Sequence, residues 1–386
     1  MLTLPGFSFQ RLNRLARYAG LVARLMAVWF VLRDLAPAPP RVTLGPPRQV
    51  ETLRPVVCVH TRLTDEVEEW KIQRTLRLAR EMGAATIVEF FPWPYVETAP
   101  GDYDWTRPDR IMRHAENQGL TVIARLGLVP AWARPPVQDK VTTLNYLPYD
   151  HFDLFAEFVE AFVARYGDQI GGVIIWNEPN LSREWGERAA DPEAYAELLR
   201  LSYAAAHRAK PDIVVLGGAL APTTEAEDSG ASMNETRYLE RMYEAGAADS
   251  FDALAAHTYG FTRPPEDAPD PAVFNFRRVE LLHDVMERYG DGDKPVYITE
   301  SGWSDDPLWT NAVRPGQRIA FTIQAFEMVD LWPWANLMCV WNLRQPSDGV
   351  NRRDAYYALV SSDFYVKPIY EAIQAYARGW DSPYLP

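Results

Sequence analysis

The chain is poor in the residues that build metal clusters and disulfide frameworks. Its 386 residues include two cysteines, Cys58 and Cys339, and six histidines. Two cysteines make neither a disulfide framework nor a cysteine metal cluster. The histidines show no His-Glu-x-x-His or comparable ligand spacing. A metal-dependent hydrolase barrel would need His-x-His on its first strand, and here position 60 is His but position 58 is Cys. No metal or other cofactor is therefore called for. A glycine-rich phosphate loop is also missing after the first strand-like stretch, where residues 60–66 read His-Thr-Arg-Leu-Thr-Asp-Glu. This disfavours an open, doubly wound nucleotide-binding sheet. Finally, no uncharged apolar run reaches the ~20 residues needed to span a bilayer. The window 15–32 comes nearest, but Arg24 lies near its middle and would cost about 2.5–3.5 kcal/mol on insertion.

Charge is unevenly spread. Seven Arg and one Asp give residues 1–50 a charge of +6 against −13 for the whole chain, so the remainder carries −19. An acidic body of this kind argues against nucleic acid as a partner. On a helical wheel of residues 10–33, Gln10, Asn13, Arg14, Arg17 and Arg24 share one arc, and Leu12, Leu15, Ala19, Val22, Met26, Trp29 and Phe30 lie opposite. That is a basic amphipathic helix, suited to an anionic membrane surface or to a protein partner. A cleaved signal with Leu25 to Leu32 as its apolar core is an alternative, although Arg33 and Asp34 interrupt the approach to any cleavage site. A membrane-associated or extracytoplasmic location is favoured, with a cytoplasmic one as the alternative. Pro37, Pro39, Pro40, Pro46 and Pro47 follow as a stiff linker. The organisation expected is residues 1–50 as helix and linker, then residues 51–386 as one catalytic domain.

From residue 55 onward, strand-like and helix-like stretches alternate. The strands are read at Pro55–His60, Ala85–Phe91, Leu120–Leu126, Val173–Trp176, Ile213–Gly217, Phe251–His257, Val296–Thr299 and Leu337–Trp341. The helices between and after them are read at Asp65–Met82, Pro108–Gln118, His151–Tyr166, from Asp191 onward, Tyr238–Ala245, Phe274–Tyr289, Gln317–Leu331 and Ile369–Ala377. Strict alternation implies a parallel sheet, and eight units of this length predict an α/β (β/α)8 barrel. In a closed barrel the eighth strand pairs with the first. Cys58 and Cys339 are therefore expected on neighbouring strands, as two buried free thiols rather than a disulfide.

Two strands end in a carboxylic acid. Val173–Trp176 runs into Asn177, Glu178, Pro179 and Asn180, and Val296–Thr299 runs into Glu300, Ser301, Gly302 and Trp303. Continuous apolar runs mark strands buried on both faces, and Pro179 has no donor with which to continue a ladder. In a (β/α)8 barrel the functional residues come from the C-terminal strand ends, where both acids lie. Two facing carboxyl groups are the equipment of glycoside hydrolysis: one protonates the leaving oxygen, and the other attacks the anomeric carbon or activates water.

The segment Ile175-Trp176-Asn177-Glu178-Pro179-Asn180 resembles the Asn-Glu-Pro signature after strand four of the clan A glycoside hydrolases. Ile298-Thr299-Glu300-Ser301-Gly302-Trp303 resembles their strand-seven nucleophile segment. Family 39 is nearest in character and family 5 next. Weaker matches are Phe91-Pro92-Trp93, Pro130-Ala131-Trp132, His257-Thr258-Tyr259-Gly260 and Trp341-Asn342. The resemblance implies a retaining O-glycosidase acting on a neutral oligo- or polysaccharide or glycoside. Glu178 would be its acid/base, with a raised pKa, and Glu300 its ionised nucleophile. Asn177 would bind the sugar 2-hydroxyl. His257 and Tyr259 would line the site, with the tyrosine donating to Glu300, and Trp341 would floor the sugar subsite. Trp93, Trp132, Trp185 and Trp303 are candidate walls, His60 and Arg125 further polar contacts, and Glu89 a third acid. The competing reading is a catalytically inactive sugar-binding or structural subunit of a membrane-associated assembly.

Overall fold

The structure, a computed structural model, describes residues 18–28, 42–136, 142–225, 229–347 and 352–384. Two compact units are present, Met1–Thr43 and Leu44–Pro386. In the first, residues 18–28 form a helix whose residues are all exposed. The rest of the amphipathic stretch 10–33 and Pro37, Pro39 and Pro40 of the linker lie outside the described residues. No helix among the described residues is long and apolar enough to cross a membrane.

The second unit is a closed barrel of eight parallel strands: β1 (Val57–His60), β2 (Thr86–Pro92), β3 (Thr121–Gly127), β4 (Ile170–Ile175), β5 (Val215–Leu220), β6 (Ala253–Tyr259), β7 (Val296–Gly302) and β8 (Ala335–Val340). Each strand pairs with its sequence neighbours, and β1 pairs with β8 to close the ring. The surrounding helices are α1 (Glu69–Met82), α2 (Thr106–Asn117), α3 (Phe152–Tyr166), α4 (Pro192–Ala209), α5 (Glu235–Glu244), α6 (Arg278–Arg288), α7 (Pro315–Leu331) and α8 (Pro368–Arg378). The expected (β/α)8 barrel is the architecture found.

Successive side chains on a strand point to opposite faces, so the barrel has two cores. The outer one lies between strands and helices. The inner one is filled by Cys58, Val88, Ile123, Ile174, Leu216, Ala219, Ala253, Ala255, Leu337 and Cys339. Cys58 and Cys339 stand opposite each other in the β1–β8 register and form a disulfide. The expectation of two free thiols is thus corrected. Ladder partners on neighbouring parallel strands send their side chains to the same face, and here that face is the barrel interior.

Element boundaries moved where side chains compete for the backbone. Helix α1 starts at Glu69 rather than Asp65 because Glu89 accepts hydrogen bonds from the N–H groups of Leu63 and Thr64, holding that stretch as a loop. Helix α5 starts at Glu235 rather than Tyr238 because Asn234 caps it through Thr236 N. Helix α6 starts at Arg278, since Thr258 Oγ1 donates to the carbonyl of Phe276 at 2.7 Å and holds the preceding residues against β6.

Candidate active site

The inner core rises into the site by the strand's two-residue repeat. Two residues beyond Cys58 is His60, two beyond Ile123 is Arg125, and two beyond Ala255 is His257, with Tyr259 two further on. The same strands that seal the barrel with apolar groups thus carry polar groups to its C-terminal mouth.

Glu300 lies on β7, with its side chain 9% exposed. Arg125 Nη1 donates to its Oε1 at 2.7 Å, and the Tyr259 hydroxyl donates to its Oε2 at 2.9 Å. Burial, followed by the charge of Glu300, pushes the Tyr259 phenol well above its ordinary range, so the hydroxyl keeps its proton and donates. Arg125 also donates to Asn177 Oδ1 at 2.6 Å, and its guanidinium lies over the Phe90 ring, 4.8 Å from the centroid.

Glu178 lies three residues past β4, and its side chain is 13% exposed. Its backbone is unusual: Trp176 and Glu178 have φ of 73° and 44°. Residues other than glycine in this left-handed region cost about 1–3 kcal/mol each and persist where surrounding bonds over-determine them. Those bonds are present. Trp176 N donates to the Leu126 carbonyl, and Glu178 N donates to that of Ala219. The Trp176 indole donates to the Glu184 carbonyl at 2.7 Å. The Asn180 amide bonds to Ala221 and Met233. The turn therefore aims the Glu178 carboxyl group at the barrel axis, where His257 Nδ1 is 3.0 Å from Oε1. That bond survives a change of protonation state: a carboxylic acid donates to the ring nitrogen, and a carboxylate accepts from its N–H. One oxygen of each carboxyl group and one His257 nitrogen lie within 4.8 Å of one another. This grouping would offer a cation three ligand atoms, although Arg125 already brings positive charge to it.

His60 is fully buried. Its Nδ1 bonds to the Thr61 carbonyl at 2.9 Å, and Nε2 is 3.7 Å from Glu300 Oε1 with no hydrogen-bond partner. Desolvation and the nearby Arg125 hold its pKa well below the ordinary histidine value, so the ring is neutral. Trp341 is half-buried, with its ring in edge contact with His60 at 4.5 Å between centroids. A pocket of about 210 Å³ opens beside Glu300, lined by His60, Arg62, Asp65, Arg125, Asn145, Trp176, Asn177 and Glu184 among others.

Other sequence candidates lie elsewhere. Trp93, Trp303 and Trp185 are buried in the outer core and are not walls of the site. The Trp93 indole donates to Glu97, and that of Trp303 to the Arg263 carbonyl. Trp132 is partly buried, packs edge-on against Trp93 and donates to the Glu97 carbonyl. Large aromatic side chains after strands fill the gap between helices as readily as they face a ligand, and one sequence does not separate the two uses. Glu89 lines the pocket but is occupied by the β1–α1 loop, accepting from Thr61, Leu63 and Thr64. Sequence reading missed Glu184, on a 3-10 turn at Ser182–Trp185. Its one signal was a second acid six residues after Glu178, inside the loop bracketed by Trp176 and Trp185.

No protein-family model matches the chain, and no curated protein matches it in sequence. Solved structures do match. A family 39 glycoside hydrolase from the gut symbiont Bacteroides cellulosilyticus superposes with a TM-score of 0.66 at 21% identity, covering 86% of this chain and 65% of that one. A monomeric β-xylosidase from Caulobacter crescentus gives 0.60 at 19%, covering 85% and 69%. An exo-β-1,4-mannosidase from an Opitutaceae bacterium gives 0.56 at 20%, covering 88% and 62%. The chain thus spans roughly two thirds of the length of these neighbours and shares their barrel fold.

Proposed function

We propose that the chain is a retaining O-glycoside hydrolase of clan A, acting on a neutral oligo- or polysaccharide or glycoside by double displacement. The observation that carries this reading is the pair of carboxyl groups with oxygens within 4.8 Å of each other. Retaining enzymes hold theirs about 5–5.5 Å apart, inverting ones roughly 6.5–9.5 Å. The differing partners of the two groups support the division of roles. Glu300, flanked by Arg125 and Tyr259, is the ionised nucleophile. Glu178, bonded to His257 through one oxygen and with the exposed Arg183 3.6 Å from the other, is the acid/base. The glycosidases among the structures of similar fold support the same reading.

In the first step a Glu300 oxygen attacks the anomeric carbon as the bond to the leaving oxygen breaks, and Glu178 gives that oxygen its proton. In the second step Glu178 takes a proton from water, the water oxygen attacks the anomeric carbon, and the ester to Glu300 breaks. Asn177, fixed by Arg125, meets the sugar 2-hydroxyl, a contact that strengthens in the oxocarbenium-like transition state. Trp341 floors the subsite. The test is Glu300→Ala: turnover of aryl glycosides is expected to vanish, and added azide to restore release with a glycosyl azide of inverted configuration. Full activity in that variant would sink the assignment.

We also propose that the N-terminal helix holds the enzyme on an anionic membrane surface outside the cytosol. Leu21, Val22, Leu25, Met26 and Val28 expose more than half their surface on the helix 18–28, which carries Arg24 and is preceded in sequence by Arg11, Arg14 and Arg17. The Cys58–Cys339 disulfide suits an oxidising compartment. The full chain should sediment with phosphatidylglycerol vesicles and not with phosphatidylcholine ones. Equal sedimentation with both, or with neither, would rule this out.

A further inference from the structure

The pocket beside Glu300 holds more hydrogen-bonding groups than the two-carboxylate chemistry uses, and they can be divided into those already paired and those left over. Both of its arginines face a carboxylate. Arg125 gives its Nη1 to Glu300 and Asn177, at 2.7 and 2.6 Å, while its buried Nε has no partner. Arg62 is taken up by Asp65 through two bonds of 3.0 and 2.6 Å. The threonine hydroxyls are paired as well, that of Thr61 with Glu89 and that of Thr64 with the Phe90 carbonyl. Two acceptors remain. Because Nδ1 of the neutral His60 ring faces the Thr61 carbonyl it must carry the proton, so Nε2 presents a bare lone pair. That atom is buried and unpartnered, 3.7 Å from the nucleophile's oxygen. Glu184 also lines the pocket. It accepts one bond from Asn145 at 3.3 Å, with Arg183 beyond hydrogen-bond range at 3.8 Å. A carboxylate has acceptor capacity for about four bonds, so Glu184 keeps room for further donors.

A buried acceptor without a partner costs free energy that a ligand donor recovers. A pocket with spare acceptors, whose two lining arginines each already face a carboxylate, suits hydroxyl groups and disfavours a second carboxylate. Resting on the glycosidase reading, we propose that Glu184 and His60 Nε2 are specificity-determining groups that receive hydroxyls of an uncharged sugar and exclude uronic acids from this pocket.

The backbone supports such a role. The turn carrying Glu184 is fixed by the Trp176 indole on the Glu184 carbonyl. It is also fixed by Gly186 (φ 77°), where a Cβ would meet Tyr146 Cα at 2.7 Å. Glu184 is thus held beside Asn145 on the facing loop and beside Asn177, the residue next to the acid/base. Burial and the neighbouring Glu178 raise the Glu184 pKa, as befits a carboxylate brought near the reaction centre to bind substrate.

The test uses the full chain and pairs of 4-nitrophenyl glycosides that differ only in CH₂OH against COO⁻ at C5, namely glucoside with glucuronide and galactoside with galacturonide. The free sugars are titrated in parallel by calorimetry. The wild type should prefer the neutral member by about 100-fold or more in kcat/KM, as expected where a built polar site is left unmatched. Glu184→Gln should narrow that ratio at least tenfold, mainly through KM. His60→Phe should weaken binding of the neutral sugars. Turnover with an unchanged ratio in Glu184→Gln, or equal use of both members by the wild type, would overturn the inference and leave the glycosidase reading standing. Neutral-sugar binding that Glu184→Gln abolishes, without turnover of any glycoside, would do the reverse. Absence of both binding and turnover would overturn both.

Discussion

The lower and upper layers of the barrel interior are made by the same strands two residues apart, yet they obey opposite rules. The lower layer, with Ile123, Ile174, Leu216 and Leu337 around the Cys58–Cys339 bridge, is dry and apolar. The upper layer, with His60, Arg125, His257, Tyr259 and Glu300, is polar, and all of it but the half-buried Tyr259 is buried. In the lower layer stability comes from area removed from water. In the upper layer, charges taken out of water must be compensated by one another. The contrast teaches that fold and site are separable here: one layer sets how firmly the barrel stands, and the other sets what its mouth does.

Four changes probe that separation. The largest effect is expected at Arg125. Arg125→Ala should destabilise the protein by about 3–5 kcal/mol, because it strands the buried Glu300 carboxylate. The double variant Arg125→Ala/Glu300→Ala should regain much of that in urea unfolding. A double variant no more stable than the single one would mean that the upper layer behaves like ordinary core. Leu216→Ala should cost about 2–5 kcal/mol through the cavity it leaves, with kcat per folded molecule unchanged. A large fall in kcat would join the layers that the comparison separates. Tyr259→Phe removes a hydrogen bond to a charged group, worth about 1.5–3 kcal/mol. It should lower kcat roughly 10- to 150-fold and the melting temperature by a few degrees. The smallest effect concerns pH. The folded protein holds His60 neutral, whereas an unfolded chain takes up a proton below a pKa of about 6.5. Stability should therefore fall as pH drops below that value, by at most about 1.4 kcal/mol per pH unit from this group. In His60→Gln that part of the slope should be gone, and denaturation curves between pH 7 and pH 5 would show it.

The barrel was legible because its signals repeat. Eight apolar runs alternate with amphipathic ones, and glycines close several helices; Gly83, for instance, ends α1 in the left-handed conformation. Glu178 and Glu300 were legible because an apolar strand that stops at an acid has few structural reasons to do so. The disulfide was not legible. Strand adjacency placed the cysteines side by side, but register decides whether they meet, and a one-residue slip would have turned one of them outward. The tryptophans failed for a different reason: Trp93 and Trp303 have the position of a ligand wall and the packing of core residues. Glu184 was hidden because its direction depends on a 3-10 turn and on left-handed residues, Trp176 and Glu178, that carry no compositional mark.

The bridge between β1 and β8 also changes what a protease can achieve. Cys58 and Cys339 are 281 residues apart in sequence, so the bond makes most of the chain a covalent ring. A single cut in any loop within it opens the ring but releases no fragment. The nicked protein should run as one full-mass species on a denaturing gel without reductant and as two pieces once reductant is added. A barrel cut once in this way remains a single molecule whose strands stay at high effective concentration, able to find their partners again.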